Sequence, residues 1–167
     1  MILKYKNYVD GVHLISEKKA AKDFSLPENY VGEIELECKM DKAPHQIILS
    51  CDLTAEAKFA CDRCNSEFIE EINTEFQVTC FFEEGKTSED EPNIKFISPD
   101  QDKIDLSEEI KEYLLLAIPM KILCSEDCKG LCVTCGINLN EKTCSCSEKV
   151  INPIWEPLQK LKNNSNN

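Results

Sequence analysis

Cysteines are the residues of this chain whose type and spacing point most directly to chemistry. Six of the eleven lie between Cys124 and Cys146, in the order C-SED-C-KGL-C-VT-C-GINLNEKT-C-S-C, and a second cluster reads C-D-R-C from Cys61 to Cys64. Two cysteines separated by two residues can close a tight turn that directs both sulfurs at one point, and Gly136 after Cys135 suits such a turn. Thiolates that converge in fours are typical ligands of tetrahedral zinc.

Three other cysteines fall on the apolar phase of alternating segments, namely Cys38, Cys51 and Cys80. Cysteine is among the most buried residue types and packs as a small hydrophobe. We therefore expect these three in the core, and eight cysteines remain for two sets of four.

The eight divide in one of two ways. In the first, Cys132, Cys135, Cys144 and Cys146 close a local site, and Cys61, Cys64, Cys124 and Cys128 join distant segments. Zinc–thiolate bonds would offset the entropy of that long loop closure. In the second, the pairs 61/64 and 132/135 share one metal, and residues 124, 128, 144 and 146 share the other. We favour the first because it needs only one long-range assembly, and we predict two structural Zn²⁺ ions.

Three other uses of these cysteines fit the sequence less well than structural zinc. A redox Cys-x-x-Cys usually opens a helix in a βαβ unit, and no such pattern is present. Ligand spacing alone does not exclude an iron–sulfur cluster, but the Cys-x-x-Cys-Gly knuckle favours zinc. Catalytic zinc normally uses histidine or carboxylate ligands, and neither His13 nor His45 neighbours a cysteine cluster.

Motifs of catalysis and nucleotide binding are absent from the sequence. There is no Walker loop, no glycine-rich dinucleotide fingerprint and no Ser/His/Asp set that can be placed. We therefore expect a protein that is not an enzyme and has no small-molecule substrate.

Alternating apolar and polar residues predict long β-strands at 33–40, 47–59 and 68–82. The last two flank the C-D-R-C turn and predict an antiparallel hairpin with the first ligand pair at its tip. We also expect an opening strand within 1–8, a short helix near 16–22 and a strand at 93–97.

A helix is predicted to begin near Asp105, which can cap it with Glu108 in a capping-box relation, and to end at Pro119. Its apolar residues recur at helical spacing, so one face should pack on the sheet: Leu106, Ile110, Tyr113, Leu114, Ala117 and Ile118. The predicted fold is α+β, a long-stranded antiparallel β-sheet with one main packing helix and Cys-rich zinc-binding loops.

The 167 residues suffice for one domain, which we place at 1–162. Residues 1–123 would form the sheet and helix, and 124–150 a Cys-rich metal module packed on them. We expect the acidic segment 83–91 to be a solvated loop, Trp155 to anchor the end of the chain on the domain, and 163–167 to be a disordered tail.

The formal net charge is −12, and zinc held by four thiolates makes it more negative still. Such a field repels phosphate at long range and attracts basic proteins. The N-terminal lysines, such as Lys18 and Lys19, most simply keep one face in solution. With no apolar run near the ~20 residues of a membrane helix and no signal-peptide pattern, we expect a cytoplasmic protein with reduced thiols and no membrane contact.

The order of these features resembles the YceD-like family, the large ribosomal RNA subunit accumulation proteins of bacteria and plastids. The first features are alternating strands, the C-D-R-C motif, another strand, and I-D-L followed by a helix that ends in I-P. They are followed by C-x3-C-K-G-L-C-x2-C-G-x-N-L-N, by C-x-C and by a Trp-Pro-Leu segment. The resemblance covers about residues 30–161, and the two cysteine motifs together are specific.

The resemblance implies a non-enzymatic role in synthesis, processing or stability of 23S ribosomal RNA, and hence in large-subunit assembly. The implied partners are the large-subunit precursor, 23S rRNA or a basic ribosomal protein. Two other functions stay open. One is an acidic zinc-binding escort for a basic ribosomal protein, and the other a thiol oxidoreductase.

Overall fold

A computed structural model describes residues 1–83, 93–98 and 100–146. The chain forms two compact units. The sheet unit comprises Met1–Ala60 and Glu67–Ile122, and the cysteine unit comprises Cys61–Ser66 and Leu123–Asn167. The packing of a metal module on the sheet stays a prediction. Most of the expected acidic loop, Trp155 and the tail 163–167 lie outside the described residues.

The sheet unit is built on a five-stranded sheet in the order β2-β3-β4-β5-β6. Its strands are β2 (Gly11–Ala20), β3 (Tyr30–Lys42), β4 (Gln46–Ala60), β5 (Glu67–Phe82) and β6 (Ile94–Ile97). A second sheet pairs β1 (Ile2–Leu3) with β7 (Ile104–Asp105). The single α-helix of the described residues is α1 (Ser107–Leu116), so the α+β prediction is confirmed.

The three long strands follow the predicted alternation because one side chain in two enters the core. Leu36, Leu49 and Val78 are buried, while their polar neighbours along each strand face outward. Strands β2 to β5 pair antiparallel, as expected. Strand β6 differs, because it pairs with β5 in parallel.

Two expectations for the N-terminal part need correction. The short helix near 16–22 is wrong, since residues up to Ala20 belong to β2 and a 3₁₀ turn follows at Ala21–Phe24. The opening strand is limited to β1, after which Tyr5–Asn7 form another 3₁₀ turn. Pairing of all ten β2 residues with β3 outweighs the weak local pattern.

Helix α1 packs on β4 and β5 through the predicted face. Ile110 and Leu114 are fully buried, and the Tyr113 ring stacks on Phe76 at a centroid distance of 5.1 Å. The N-cap residue is Leu106, and Asp105 before it accepts a hydrogen bond from the Ser107 amide at 2.9 Å. Asp105 thus stabilises the helix start from one position earlier than the capping box requires.

Cys38, Cys51 and Cys80 are all buried in the core, as predicted. Cys38 and Cys51 face each other across β3 and β4 and form a disulfide, so the expectation of reduced thiols is wrong for this pair. Burial raises the pKa of the Cys80 thiol to about 12, so that thiol stays protonated well above neutral pH.

The outward face of the sheet carries a row of three exposed acids on neighbouring strands. Glu37 lies opposite Asp52, and Asp52 lies opposite Glu75. Directly opposed like charges destabilise a sheet. We call Glu37, Asp52 and Glu75 the acidic row. The acidic row concentrates negative charge and lowers folding stability.

Within the described residues, no helix has the length and hydrophobicity needed to span a bilayer.

Candidate metal centres

The first centre begins at the turn that connects β4 and β5. The Cys61 amide donates to the Ser66 carbonyl at 3.0 Å, and the Asn65 amide donates to the Cys61 carbonyl at 2.8 Å. Asn65 has a φ of 57°, in the left-handed region that asparagine tolerates better than most residues. These bonds hold the turn that carries Cys61 and Cys64.

Site 1 brings that turn together with the segment 124–128. The four sulfurs of Cys61, Cys64, Cys124 and Cys128 lie within 4.8 Å of one another. Cys61 and Cys128 sulfurs are 3.7 Å apart, and Cys64 and Cys124 sulfurs 3.6 Å. A tetrahedron with metal–sulfur bonds of about 2.3 Å has edges of about 3.8 Å, so the spacing fits a four-thiolate metal.

Backbone amides favour a thiolate at site 1. Hydrogen bonds from the Cys124 backbone, and then from Cys64 and Arg63, lower the pKa of Cys61 to about 6 against the opposing effect of burial. The Ser66 side chain and backbone lower the pKa of Cys64. A hydrogen bond with Cys64, together with partial loss of solvent around the sulfur, raises the pKa of Cys124 to about 12. A divalent cation would compensate the charge of all four thiolates.

Arg63, the third residue of C-D-R-C, fixes the other half of the site. Its Nη1 donates to the Cys128 carbonyl at 2.9 Å and to the Glu126 carbonyl at 3.2 Å. Its own carbonyl accepts the Leu131 amide at 3.0 Å. Arg63 therefore holds together the two segments that supply the sulfurs.

Site 2 groups the sulfurs of Cys132, Cys135, Cys144 and Cys146, also within 4.8 Å of one another. The Gly136 amide donates to the Cys132 carbonyl at 2.8 Å, and Gly136 has a φ of 71°. The amide that reaches the Cys132 sulfur, at 3.5 Å, belongs to Thr134. Glycine is thus needed for the turn, as expected, while a neighbouring amide meets the thiolate.

Cys132 is the sulfur of site 2 with the strongest amide support. Hydrogen bonds from the Cys135 and Thr134 backbone lower its pKa to about 6. A hydrogen bond with Cys135, reinforced by partial loss of solvent around the sulfur, raises the pKa of Cys146 to about 12. Cys132 is buried, but Cys135 and Cys146 are exposed, whereas three of the four cysteines of site 1 are buried. Site 2 is therefore the more accessible centre.

The sulfurs adopt the first of the two groupings considered from the sequence, and both groups can hold a metal ion. Four thiolates complete a tetrahedral coordination shell, which fits structural zinc. Sequence reasoning missed four residues that support the sites. Gly130 lies close to the backbone of Arg63, where the two segments of site 1 approach each other. Asn138 and Asn140 belong to the loop of site 2 and hydrogen-bond to Ser66 and Cys128. Only their place inside the C-D-R-C, K-G-L and N-L-N motifs signalled them.

Residues 49–162 match the model of the family described as large ribosomal RNA subunit accumulation protein YceD. The matched segment is more than half of the chain and contains both cysteine clusters. This chain belongs to the YceD family.

Two plant members of the YceD family are similar to part of the chain. The large ribosomal RNA subunit accumulation protein YCED homolog 1, chloroplastic, of Arabidopsis thaliana is 34% identical over 64 residues, which are 38% of this chain and 20% of the relative. The protein of the same description in Zea mays is 40% identical over 63 residues, 36% of this chain and 21% of the relative. The chain thus spans about a fifth of these relatives, and no solved structure matches it.

Proposed function

We propose that this YceD-family chain is a non-enzymatic ribosome-biogenesis factor that supports 23S rRNA synthesis, processing or accumulation and large-subunit assembly. The observation that carries the proposal is the family match over residues 49–162, which includes both cysteine clusters. The relatives bear the name of large ribosomal RNA subunit accumulation proteins. We place the chain in the cytoplasm, or in the compartment where its ribosomes assemble.

In this proposal each centre holds one structural Zn²⁺. Cys61, Cys64, Cys124 and Cys128 would bind the first ion, and Cys132, Cys135, Cys144 and Cys146 the second. The sulfur spacing at site 1 and the all-thiolate donor sets support zinc in a structural role. Zinc would fix the turn 61–66 against the segment after residue 123, because each provides half of site 1.

The acidic row favours a basic protein as the direct partner. Glu37, Asp52 and Glu75 are exposed on adjacent strands, and the whole chain carries a net charge of −12. Such a surface repels RNA phosphate and attracts lysine- and arginine-rich chains. This supports the second candidate, an escort for a basic ribosomal protein, which is compatible with a role in large-subunit assembly.

Depletion of the protein in its host tests the proposed function. Sucrose gradients should show a deficit of large subunits with near-normal small subunits, and 23S rRNA should fall or keep unprocessed ends. A normal ratio of subunits, with normal 23S rRNA and normal precursor ends, would remove the ribosomal proposal.

Charge variants separate the escort from direct RNA binding. The triple change Glu37→Gln, Asp52→Asn, Glu75→Gln should weaken binding to basic ribosomal proteins and reduce its dependence on salt. The control changes three exposed acids outside the row, Asp23→Asn, Glu28→Gln and Asp102→Asn. Equal losses in the two variants would argue against the acidic row as the contact surface, and tighter binding of both to naked RNA would indicate only a general charge effect.

A further inference from the structure

The loop that connects the ligand pairs of site 2 reaches back to a ligand of site 1. Asn140 lies between Cys135 and Cys144, and its Nδ2 donates to the Cys128 sulfur at 3.3 Å. Its Oδ1 accepts the Lys129 amide at 2.8 Å. Because a backbone N–H can only donate, this second bond sets the orientation of the amide and leaves Nδ2 facing the thiolate.

Asn138, two residues earlier, contacts the other segment of site 1. Its Nδ2 donates to the Ser66 hydroxyl at 3.2 Å, and Ser66 in turn hydrogen-bonds with Cys64. Its Oδ1 accepts both the Asn140 amide, at 3.0 Å, and the Asn140 side-chain nitrogen, at 2.9 Å. The two asparagines therefore form one connected group that touches both halves of site 1.

The segment that carries Asn138 and Asn140 also forms backbone hydrogen bonds with the chain around Cys132, a ligand of site 2. The Cys132 amide donates to the Ile137 carbonyl at 2.8 Å, and Leu131 forms an isolated β-bridge with Asn138. The Leu139 amide donates to the Gly130 carbonyl at 2.9 Å. Cys135, three residues before Asn138, and Cys144, four residues after Asn140, are both members of site 2, so a metal there would restrict both ends of the loop.

We propose that Asn138–Leu139–Asn140 couples the two metal centres, with Asn140 as the positioning residue for the Cys128 thiolate. A metal at site 2 fixes the loop, the Asn140 amide then stabilises the thiolate at site 1, and site 1 binds its metal more tightly. The inference rests on the proposed function in that both centres take up zinc. Coupling between binding sites is reciprocal, so a metal at site 1 also tightens site 2.

The expected size of the coupling follows from the kind of contact involved. Loss of a hydrogen bond to a metal ligand typically lowers metal affinity about 10- to 100-fold. Asn140 is exposed and its bond to sulfur is long, so we expect the lower end, about tenfold.

The most direct variant is Asn140→Asp. It keeps an oxygen for the Lys129 amide but replaces the donor that faces Cys128 with a second acceptor. Asn7→Asp is the matched control, because it adds the same charge at an exposed position in the sheet unit.

Native mass spectrometry of the full chain with sub-stoichiometric zinc gives the populations of chains with zero, one and two ions. The product of the zero- and two-ion populations, divided by the square of the one-ion population, rises with coupling, and two sites that bind independently give at most about one quarter. This ratio should fall about tenfold in Asn140→Asp and stay unchanged in Asn7→Asp. An unchanged ratio in Asn140→Asp would overturn the inference.

A double-mutant cycle with Cys144→Ser provides a second test. Chelator competition should show that zinc at site 1 binds about tenfold more weakly in Cys144→Ser than in wild type, and about tenfold more weakly in Asn140→Asp. The double variant should bind zinc at site 1 as tightly as either single variant. Losses that multiply in the double variant would contradict the coupling.

The outcomes separate the coupling from the proposed metal sites. Two zinc ions that bind independently in the wild-type chain would refute the coupling and leave the metal sites standing. No zinc on the folded, reduced chain would refute both. The mass-spectrometric test needs no cysteine change, so it decides the matter even where Cys144→Ser prevents folding.

Discussion

A Cβ placed on Gly130 would lie 3.1 Å from the carbonyl oxygen of Arg63. Gly130 also has a φ of 75°, in the left-handed region. The two residues belong to the K-G-L and C-D-R-C motifs, so glycine is required here both by the backbone conformation and by the close approach of the two segments of site 1.

Gly130→Ala and Gly136→Ala form a matched pair. Both glycines have positive φ, but a Cβ on Gly136 would meet no atom within 4 Å. We expect Gly136→Ala to cost about 1–2 kcal/mol for the backbone conformation alone. Gly130→Ala should cost more, because the Arg63 carbonyl must also move. Denaturant unfolding of the zinc-loaded protein measures both, and equal costs would show that the contact with Arg63 does not matter.

Arg63→Ala should loosen the segment that carries Cys124 and Cys128, because the guanidinium bonds to the Glu126 and Cys128 carbonyls are lost. Arg63 is exposed, so we expect a loss of about 1 kcal/mol. Arg63→Lys keeps the charge but should restore only part of the loss, since a lysine lacks the fixed fork of donors. Faster zinc release to a chelator is the readout. Full restoration by lysine would point to charge rather than geometry.

Cys61→Ser should destabilise the zinc-loaded protein more than Cys144→Ser. Site 1 joins Cys61 to Cys128 across a separation of 67 residues, whereas site 2 closes the short stretch 132–146. A cross-link that closes a longer loop removes more entropy from the unfolded chain, here by on the order of 1 kcal/mol. Thermal melts compare the two variants, and a larger loss for Cys144→Ser would reverse this assignment.

Because of the Cys80 thiol, we predict that the free energy of unfolding decreases at high pH. The pKa of this thiol rises from 9.0 to about 12 on folding, because burial disfavours the thiolate. Between these values the native state keeps a proton that the unfolded chain releases, so the stabilisation is complete below about pH 9 and declines as pH rises toward 12. The difference in unfolding free energy between wild type and Cys80→Ala should shrink over this window. A difference that is constant with pH would contradict the shift.

Local patterns predicted β3, β4, β5 and α1 because each buries residues at a regular spacing. They failed at residues 16–22, where the polar residues of β2 give a weak alternation and pairing with β3 decides the structure. They also missed the disulfide, since Cys38 and Cys51 meet only through the register that the turn after Lys42 sets.

The cysteine spacing predicted which sulfurs lie together, because the two pairs of site 2 are close in sequence and leave the other four for site 1. The roles of Arg63, Asn138 and Asn140 are different in kind. Their hydrogen bonds to the segments of site 1 join different parts of the chain, as with Asn138 and Ser66 at a separation of 72 residues, so no local pattern reveals these contacts.

The central claim, that a zinc-stabilised chain supports accumulation of the large-subunit RNA, is tested most directly by complementation. A depleted host would receive wild type, Cys61→Ser, or the control Cys80→Ala, which removes a buried thiol outside both sites, at matched protein levels. The ratio of 23S to 16S rRNA would then be measured. We predict that wild type and Cys80→Ala restore the ratio and Cys61→Ser does not. Full restoration by a Cys61→Ser protein that has lost its site 1 zinc, or no fall in the ratio on depletion, would contradict the account.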